Sequence, residues 1–483
     1  MSLSVASSSA LSGLTAATRG TELVSTNIAN KSVAGYARRE LDLASSVAGA
    51  GVNIVGVRRI LTTGLLADDR IAQAASARSA TVAAFHQTME TAIGTANDDS
   101  SLSSMLTAFD ASLASASARP DSEVRLSQVL EAARALTDKL NRISFSIQDA
   151  RTAADAAIAT DVSRLGTALD KVAELNRQIV VLGAQGQDPS SLVDTRQAVI
   201  DEISGIIPIQ EVARENGRVA LFSKGGATLL DGTTPARVEF RAAGTVTPDM
   251  TAANGTLSTI SLNGEALDAA QMSVFSGGSL AANFDIRDSL APAQQSQIDA
   301  FAREIYVRLS DPGVDPGLTA GQHGLFTDSQ SDLLAANEAG FASRIGVTSA
   351  VDPAQGGQLW KLRSGINAVT PAEAGESGIF LAMSSALAAS RTPASASVST
   401  SPRTLLTFSA EIASQTASAR LGSETAAAQD QSRSDALRTA RLAEGVDTDT
   451  EMTSLLFLEK AYSANAKVLQ TVNDMLDQIL RLT

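Results

Sequence analysis

All 12 prolines of this 483-residue chain lie between Pro120 and Pro402. Proline removes a backbone donor and clashes with the preceding turn, so it breaks helix interiors. The two proline-free ends, 119 and 81 residues long, are therefore predicted to form long helices. The C-terminal end also holds only two glycines, Gly422 and Gly445. Alanine supplies much of the 44% apolar content, whereas aromatics amount to 13 Phe, 3 Tyr and 1 Trp. Small side chains let helices approach closely but bury little area each. That composition suits long packed helices better than a compact enzyme core.

From Leu455, steps of three and four land on Leu458, Tyr462, Asn465, Leu469, Val472, Leu476 and Ile479. This heptad spacing predicts a helix with a coiled-coil seam. Thr448 and Glu451 have capping-box spacing, and Asp447 and Asp449 suit the positive end of the helix dipole. Near the other end, Leu3, Ser7, Ala10, Leu14, Ala17, Thr21, Val24 and Ile28 follow the same alternation with mostly small residues. Large and small stripes together predict that the two ends pair as a coiled coil. Two unrelated amphipathic helices on one globular core would show the same spacing.

The interior divides by composition. Residues 66–205 carry apolar residues at helical spacing, with breaks expected at Pro120-Asp121 and Asp188-Pro189-Ser190. Residues 206–286 hold nine glycines and short β-like runs, R-V-A-L-F, A-R-V-E-F, L-S-T-I-S-L and M-S-V-F. Residues 287–310 look helical again, and S-R-T-P-A-S-A-S-V-S-T-S-P before Arg403 reads as a solvated loop. The fold class is mainly α with a β-rich insertion. Four parts are expected: a terminal coiled coil (1–60 plus 440–483), a helical bundle (61–205, 287–345 and 404–439), a β-rich outer domain (206–286) and a short mixed insertion (346–403).

Chemistry is sparse. A net charge of −14 without a basic cluster argues against nucleic acid or anionic membrane as a partner. Cysteine is absent, which excludes disulfides, thiolate metal sites and cysteine nucleophiles. The opening M-S-L-S-V-A-S-S-S-A-L-S-G-L has no basic region ahead of an apolar one, so a secretory signal is not expected, and no run is long enough to span a membrane. His86 and His323 are the only histidines, and no G-x-S-x-G elbow accompanies them. Asp447, Asp449 and Glu451 lack the glycine and spacing of a calcium loop. Ser223-Lys224-Gly225-Gly226 reads as a hairpin turn, and Trp360 as a packing residue. No catalytic residue, metal site or cofactor is expected.

One polar patch stands out beside the first helix, S-T-N-I-A-N-K-S-V-A-G-Y-A-R-R-E at 25–40. The helix through Ile28 is expected to stop near Asn30, since asparagine tolerates the left-handed conformation. Asn27 and Asn30 lie three apart, so their amides share a side and could bond to a neighbour's backbone. Gly35 allows a turn, and Tyr36 can anchor the segment after it. An ordinary helix stop and turn accounts for the same residues.

Thr26-Asn27-Ile28-Ala29-Asn30, with Gly35-Tyr36 and Arg38, resembles the N-terminal signature of bacterial flagellar rod, hook and hook-associated proteins. Gly445-Val446-Asp447, Glu451-Met452 and Ala464 through Thr471 resemble the matching C-terminal signature. Leu192-Val193-Asp194-Thr195-Arg196-Gln197 through Asp201-Glu202-Ile203-Ser204 is similar to a motif of the flagellar hook-associated protein 1 family, the first hook–filament junction proteins; Gln197 stands where that family has Asp. Gly277-Gly278-Ser279-Leu280 with Ile286-Arg287-Asp288 is similar to a second, with Ala281 to Phe284 departing from it. The resemblance covers roughly residues 1–345 and the last 45, and is poor over about 346–403.

The resemblance implies a non-enzymatic structural component of the flagellum, an extracellular adaptor ring joining hook to filament. It implies secretion by flagellar type III export, ordering on assembly, and four kinds of partner: the hook protein, the second hook–filament junction protein, other copies of itself, and an export chaperone on the C-terminal helix. Leu14, Val24, Asn27, Ile28, Asn30, Gly35, Tyr36 and Arg38 are then candidates for subunit contacts, as are Leu455, Leu458, Tyr462, Asn465, Leu469, Val472, Leu476 and Ile479. Leu192, Asp194, Arg196, Asp201 and Glu202 carry the family motif in the helical domain. Burying one stripe per helix offsets only part of the entropy of ordering such ends, so they are expected to be mobile in the monomer. The rival readings are another axial protein, or a secreted coiled-coil adhesin or effector.

Overall fold

A computed structural model describes residues 3–33, 35–46, 51–95 and 98–482, the side chain of Leu482 apart. Helix α1 (Leu3–Asn30) is followed by a hairpin of β1 (Arg39–Ser45) and β2 (Val52–Arg59). Helices α2 (Thr63–Ile93), α3 (Leu102–Ala118), α4 (Glu123–Ala184) and α5 (Ser190–Ser204) come next; two of the three breaks fall at the proline sites that the sequence predicts, and the other follows Gly94. An antiparallel sheet of β3 (Ile209–Ala213), β4 (Val219–Ser223), β5 (Thr228–Asp231) and β6 (Thr234–Pro235) gives way to a smaller one of β7 (Val238–Glu239), β8 (Ser261–Leu262) and β9 (Glu265–Ala266). Helix α6 (Gly278–Asp285) continues through a π-helical turn at Ile286–Leu290 into α7 (Ala291–Leu309). Strands β10 (Phe326–Asp328) and β11 (Ile345–Val347) flank the single turn α8 (Phe341–Arg344). Short α9 (Lys361–Ser364) and α10 (Gly378–Ala388) lead to the long α11 (Leu405–Ala443) and α12 (Thr448–Leu482).

Two hydrophobic cores share helix α4, whose 62 residues span roughly 90 Å. Leu126, Leu136, Ile143 and Ile147 of its first half pack with α3, α7, α10 and the start of α11. Ile158, Leu165, Leu169 and Val172 of its second half pack with α5, β3 to β5 and α6. Both sets follow three–four spacing, so one continuous stripe serves two different layers. Helices α2 and α11 pair along their length beside this spine.

Three expectations need correction. Residues 1–60 are not all helix: the β1–β2 hairpin lies along α1, with Val52 N donating to Ser12 Oγ at 3.1 Å. M-S-V-F at 272–275 falls in a 3-10 turn, because Phe275 packs under the β sheet rather than pairing with it. The stretch 346–403 is no separate insertion, since Val351, Leu362, Phe380 and Met383 are fully buried in the first core. Its serine-rich loop is exposed over most of its length and closed at the neck, where Arg391 and Arg403 exchange backbone bonds of 3.1 and 2.9 Å and Arg308 Nη2 donates to Arg403 O.

The Gly277-Gly278 pair explains itself in three dimensions. Both have positive φ, +94° and +71°, and a Cβ on Gly278 would lie 2.0 Å from Ile206 O. That close pass lets Ser279 N and Leu280 N donate to Gly205 O and Ile206 O. We expect Gly278→Ala to cost about 2 kcal/mol or more, through left-handed strain plus backbone displacement. Calorimetry should show a melting temperature several degrees lower.

Candidate functional site

The two chain ends form one antiparallel pair. Asn27 meets Glu451, Gly20 meets Leu458 and Gly13 meets Asn465, so each heptad on one helix answers a heptad on the other in reverse. The seam on α1 is Ala10, Gly13, Ala17, Gly20, Val24 and Asn27. This is the predicted stripe rotated. Ala10, Ala17 and Val24 stay in it, while Leu14, Thr21 and Ile28 move to a half-buried flank. A Cβ on Gly20 would stand 2.8 Å from Leu458 Cδ2, and one on Gly13 2.6 Å from Asn465 Nδ2. Glycine costs a helix about 1 kcal/mol relative to alanine, and here the missing side chain admits the partner helix. On α12, Leu458, Asn465 and Val472 point to the seam; Leu455, Tyr462, Leu469 and Leu476 lie on the flank, with Ile479 further along and about half exposed.

At the top of the seam a polar network joins four elements. Asn27 is 1% exposed. Its Nδ2 donates to Arg39 O (3.0 Å) and Glu451 Oε2 (3.1 Å), and its Oδ1 accepts from Tyr36 Oη (2.7 Å) and Arg39 N (3.1 Å). Two donors and two lone pairs are all a primary amide offers. Asn27 therefore uses its whole capacity within the chain. Burial pushes the Tyr36 phenol above its ordinary value, against the opposing charge of Arg39, so it remains a donor at neutral pH. Arg38 Nε donates to the buried Glu451 at 2.6 Å.

Two terminal details differ from expectation. Glu451 is drawn into this network and does not close a capping box; Asp447 caps α12, accepting from Asp449 N at 3.2 Å and Thr450 Oγ1 at 2.6 Å. Asn30 ends α1 without entering the left-handed region, with its Nδ2 on Thr26 O. The left-handed residue is Gly35, at φ +78°.

The fourth element is α5. Asp194 takes Arg39 Nη2 at 2.5 Å on one oxygen and Arg59 Nη2 at 2.6 Å on the other. Ala37 N also points at it, and a Cβ on Gly35 would come 2.6 Å from Asp194 O. The glycine is thus required twice, by its backbone angle and by this contact. Successive residues of the same motif turn elsewhere. Arg196 donates to Asn176 Oδ1 and Gly217 O, both at 2.7 Å, fastening α5 to α4 and to the β3–β4 turn. Asp201 accepts from Arg70 of α2 and Arg441 of α11, both at 2.9 Å. Leu192 packs on the second core, while Glu202 is exposed and 3.5 Å from Arg164.

The second motif works similarly. Arg287, fully buried in the π-helical turn, pairs with Asp155 of α4 at 2.7 Å and lies against the rings of Phe240 and Phe284, which also meet edge to face. Sequence reasoning missed Asp155, Arg39, Arg59 and the hairpin. The alternation of Leu41 with Leu43 and of Val52 with Ile54 was its available signal.

Chemically this arrangement is a fastener. Each carboxylate of the joint is engaged by arginine, and none faces a nucleophile. His86 stacks edge-on against Phe85, and His323 Nδ1 lies 2.6 Å from Asp332 in a loop. Among the described residues no cluster of three His, Cys, Asp or Glu could hold a metal, and no helix is long and apolar enough to cross a membrane.

Residues 87–310 match the family described as flagellar hook-associated protein FlgK helical domain, and residues 443–482 the flagellar basal body rod FlgEFG protein C-terminal family. Flagellar hook-associated protein 1 of Salmonella typhimurium is 29% identical over 236 residues, 47% of this chain and 42% of that protein. Its namesake in Bacillus subtilis is 30% identical over 134 residues, 28% of this chain and 26% of that one. The matched stretch thus spans less than half the length of these relatives. The solved structure of the flagellar hook junction protein FlgK from Burkholderia pseudomallei aligns over 54% of this chain and 46% of that chain, with 17% identity and a TM-score of 0.46.

Removing one partner of a buried ion pair costs about 3–5 kcal/mol, because the other charge is left behind. Asp194→Ala should therefore lower the urea midpoint strongly, leaving Arg39 and Arg59 uncompensated. Glu202→Ala, eight positions on and exposed, should stay within about 0.5 kcal/mol of the wild type.

Proposed function

Because the chain belongs to the flagellar hook-associated protein 1 family, we propose that it is the structural adaptor joining the flagellar hook to the filament. The observation that carries this reading is the Asp194 joint. It fastens a terminal helix pair, whose α12 has the rod-type match, to a body with the hook-associated match. In this reading the pair stacks with neighbouring copies into a tube, and the β-rich part faces outward. The protein turns over no substrate; its work is mechanical.

Its place would be outside the cell, at the hook–filament junction, reached by flagellar type III export. Its contacts there would be the hook protein on one side, the second junction protein on the other, and further copies around the ring. Helix α12 leaves Leu456, Phe457, Val468 and Met475 between 46% and 72% exposed, which is apolar surface for a chaperone to cover before assembly and for neighbours to cover after it. Export as a partly unfolded chain, with the ends ordering on assembly, fits a pair that buries one narrow, small-residue seam.

Deleting the gene in its host tests this. Electron micrographs should show hooks of normal length without filaments, and a blot should find filament protein shed into the medium. Absent hooks would move the protein to the rod or hook class, and intact working flagella would remove the flagellar reading.

A further inference from the structure

The terminal pair presents two different apolar faces, one on each side of its seam. On one side the β1–β2 hairpin stands off from α12 and leaves a cleft of about 580 Å³. Its floor is small, with Gly13, Ala16 and Gly20 of α1; its walls are Leu41 and Leu43 of the hairpin and Phe457 of α12. On the other side, one helical step of about 100° from Gly13 and Gly20, lie Leu14 and Thr21. The matching positions of α12 on that side are Leu455, Tyr462, Leu469 and Leu476. Leu14, Leu455 and Leu469 are only half-buried; Tyr462 and Leu476 are 49% and 40% exposed. One face is a groove with a floor of glycine and alanine, and the other is a ridge of large side chains.

The ridge is one half of the heptad stripe that the sequence shows on α12, and the other half is the seam already used within the chain. A three–four repeat normally buries both of its alternating positions. Here Leu458, Asn465 and Val472 are taken up by α1, and Leu455, Tyr462 and Leu469 are left on the flank.

Resting on the junction reading, we propose that the groove receives the ridge of a second copy of this chain. The ridge of Leu455, Tyr462 and Leu469 sits between the neighbour's hairpin and its α12. Groove and ridge are different surfaces on opposite sides of one rigid pair. The contact is therefore heterologous, and repetition closes a ring or continues a helix rather than stopping at a dimer. The hairpin is the part that makes the docking selective. Without its wall the floor of α1 would be an open strip that accepts any apolar helix. The same wall ends at Arg39 and Arg59, which Asp194 holds, so the joint to the body also sets the width of the groove.

The chain has no cysteine, which makes thiol cross-linking unambiguous. Leu43→Cys and Tyr462→Cys, both at roughly half-exposed positions, are made singly, tagged differently and expressed together in a host lacking the native gene. A short thiol-to-thiol cross-linker should give a dimer carrying both tags, and neither variant alone should link to itself. Tyr462→Cys linking to its own kind would mean a two-fold contact and overturn the proposal. So would the absence of a mixed dimer in cells that swim, while leaving the junction reading intact. If the wild-type gene does not restore filaments to that host, the junction reading itself falls. Should Leu43→Cys disturb the hairpin, Phe457→Cys, 72% exposed on the opposite wall, replaces it with the same expected pattern.

Discussion

One carboxylate sets how the chain ends sit on the rest of the molecule. Asp194 holds Arg39 with one oxygen and Arg59 with the other, and these arginines face each other as one register pair at the base of the hairpin. A hairpin is a weak object by itself. Pinned at its base by two charges in a mostly dry site, it has a single seat, because any other leaves a charge unpaired at a cost of several kcal/mol. The seat then determines where α1 turns, through Gly35, and where α12 begins, through Glu451 and Asn27. The value of such a contact lies less in net stability than in geometry.

The body repeats the device at larger scale. Helix α4 carries one apolar stripe through two cores, so neither core can shift without moving the other. Buried arginines rivet the irregular parts to this spine. Arg287 meets Asp155 from the π-helical turn. Arg151, without a carboxylate of its own, directs its donors at Arg287 O, Thr247 O and Met250 O and so holds a loop that has no ladder of hydrogen bonds. Arg308 does the same for the loop before α11. Guanidinium groups suit this because their donors form a planar fork that meets several carbonyls at once. A body locked in this way can transmit force, which suits the proposed junction role.

The terminal pair is built on the opposite principle. Its seam is lined with glycine and alanine, which brings the helices close but buries little area, and large apolar side chains remain outside. In the proposed junction reading, neighbouring copies would supply the burial that this narrow seam lacks, after the chain has left the cell.

Much of this was legible in the residues. The absence of proline at both ends, the heptad steps from Leu455 and the breaks at Pro120 and Pro189 were enough to anticipate the long helices and their pairing, because helix periodicity and proline sterics are local. The motif around Asp194, Arg196 and Asp201 could be read as a motif, but not as three attachments in three directions. The rotation of the seam onto Gly13, Gly20 and Asn27, the hairpin, and the burial of residues 346–403 were not legible. Each depends on what stands opposite in space. A glycine in a helix looks like a weak position until Leu458 fills the gap, and a short apolar alternation does not declare a strand until Asp194 anchors it. Sequence by itself determined where the long helices run, since that follows from contacts three and four residues apart. Tertiary structure alone decided which face of each helix is used, since that depends on charges and close approaches between residues hundreds of positions apart.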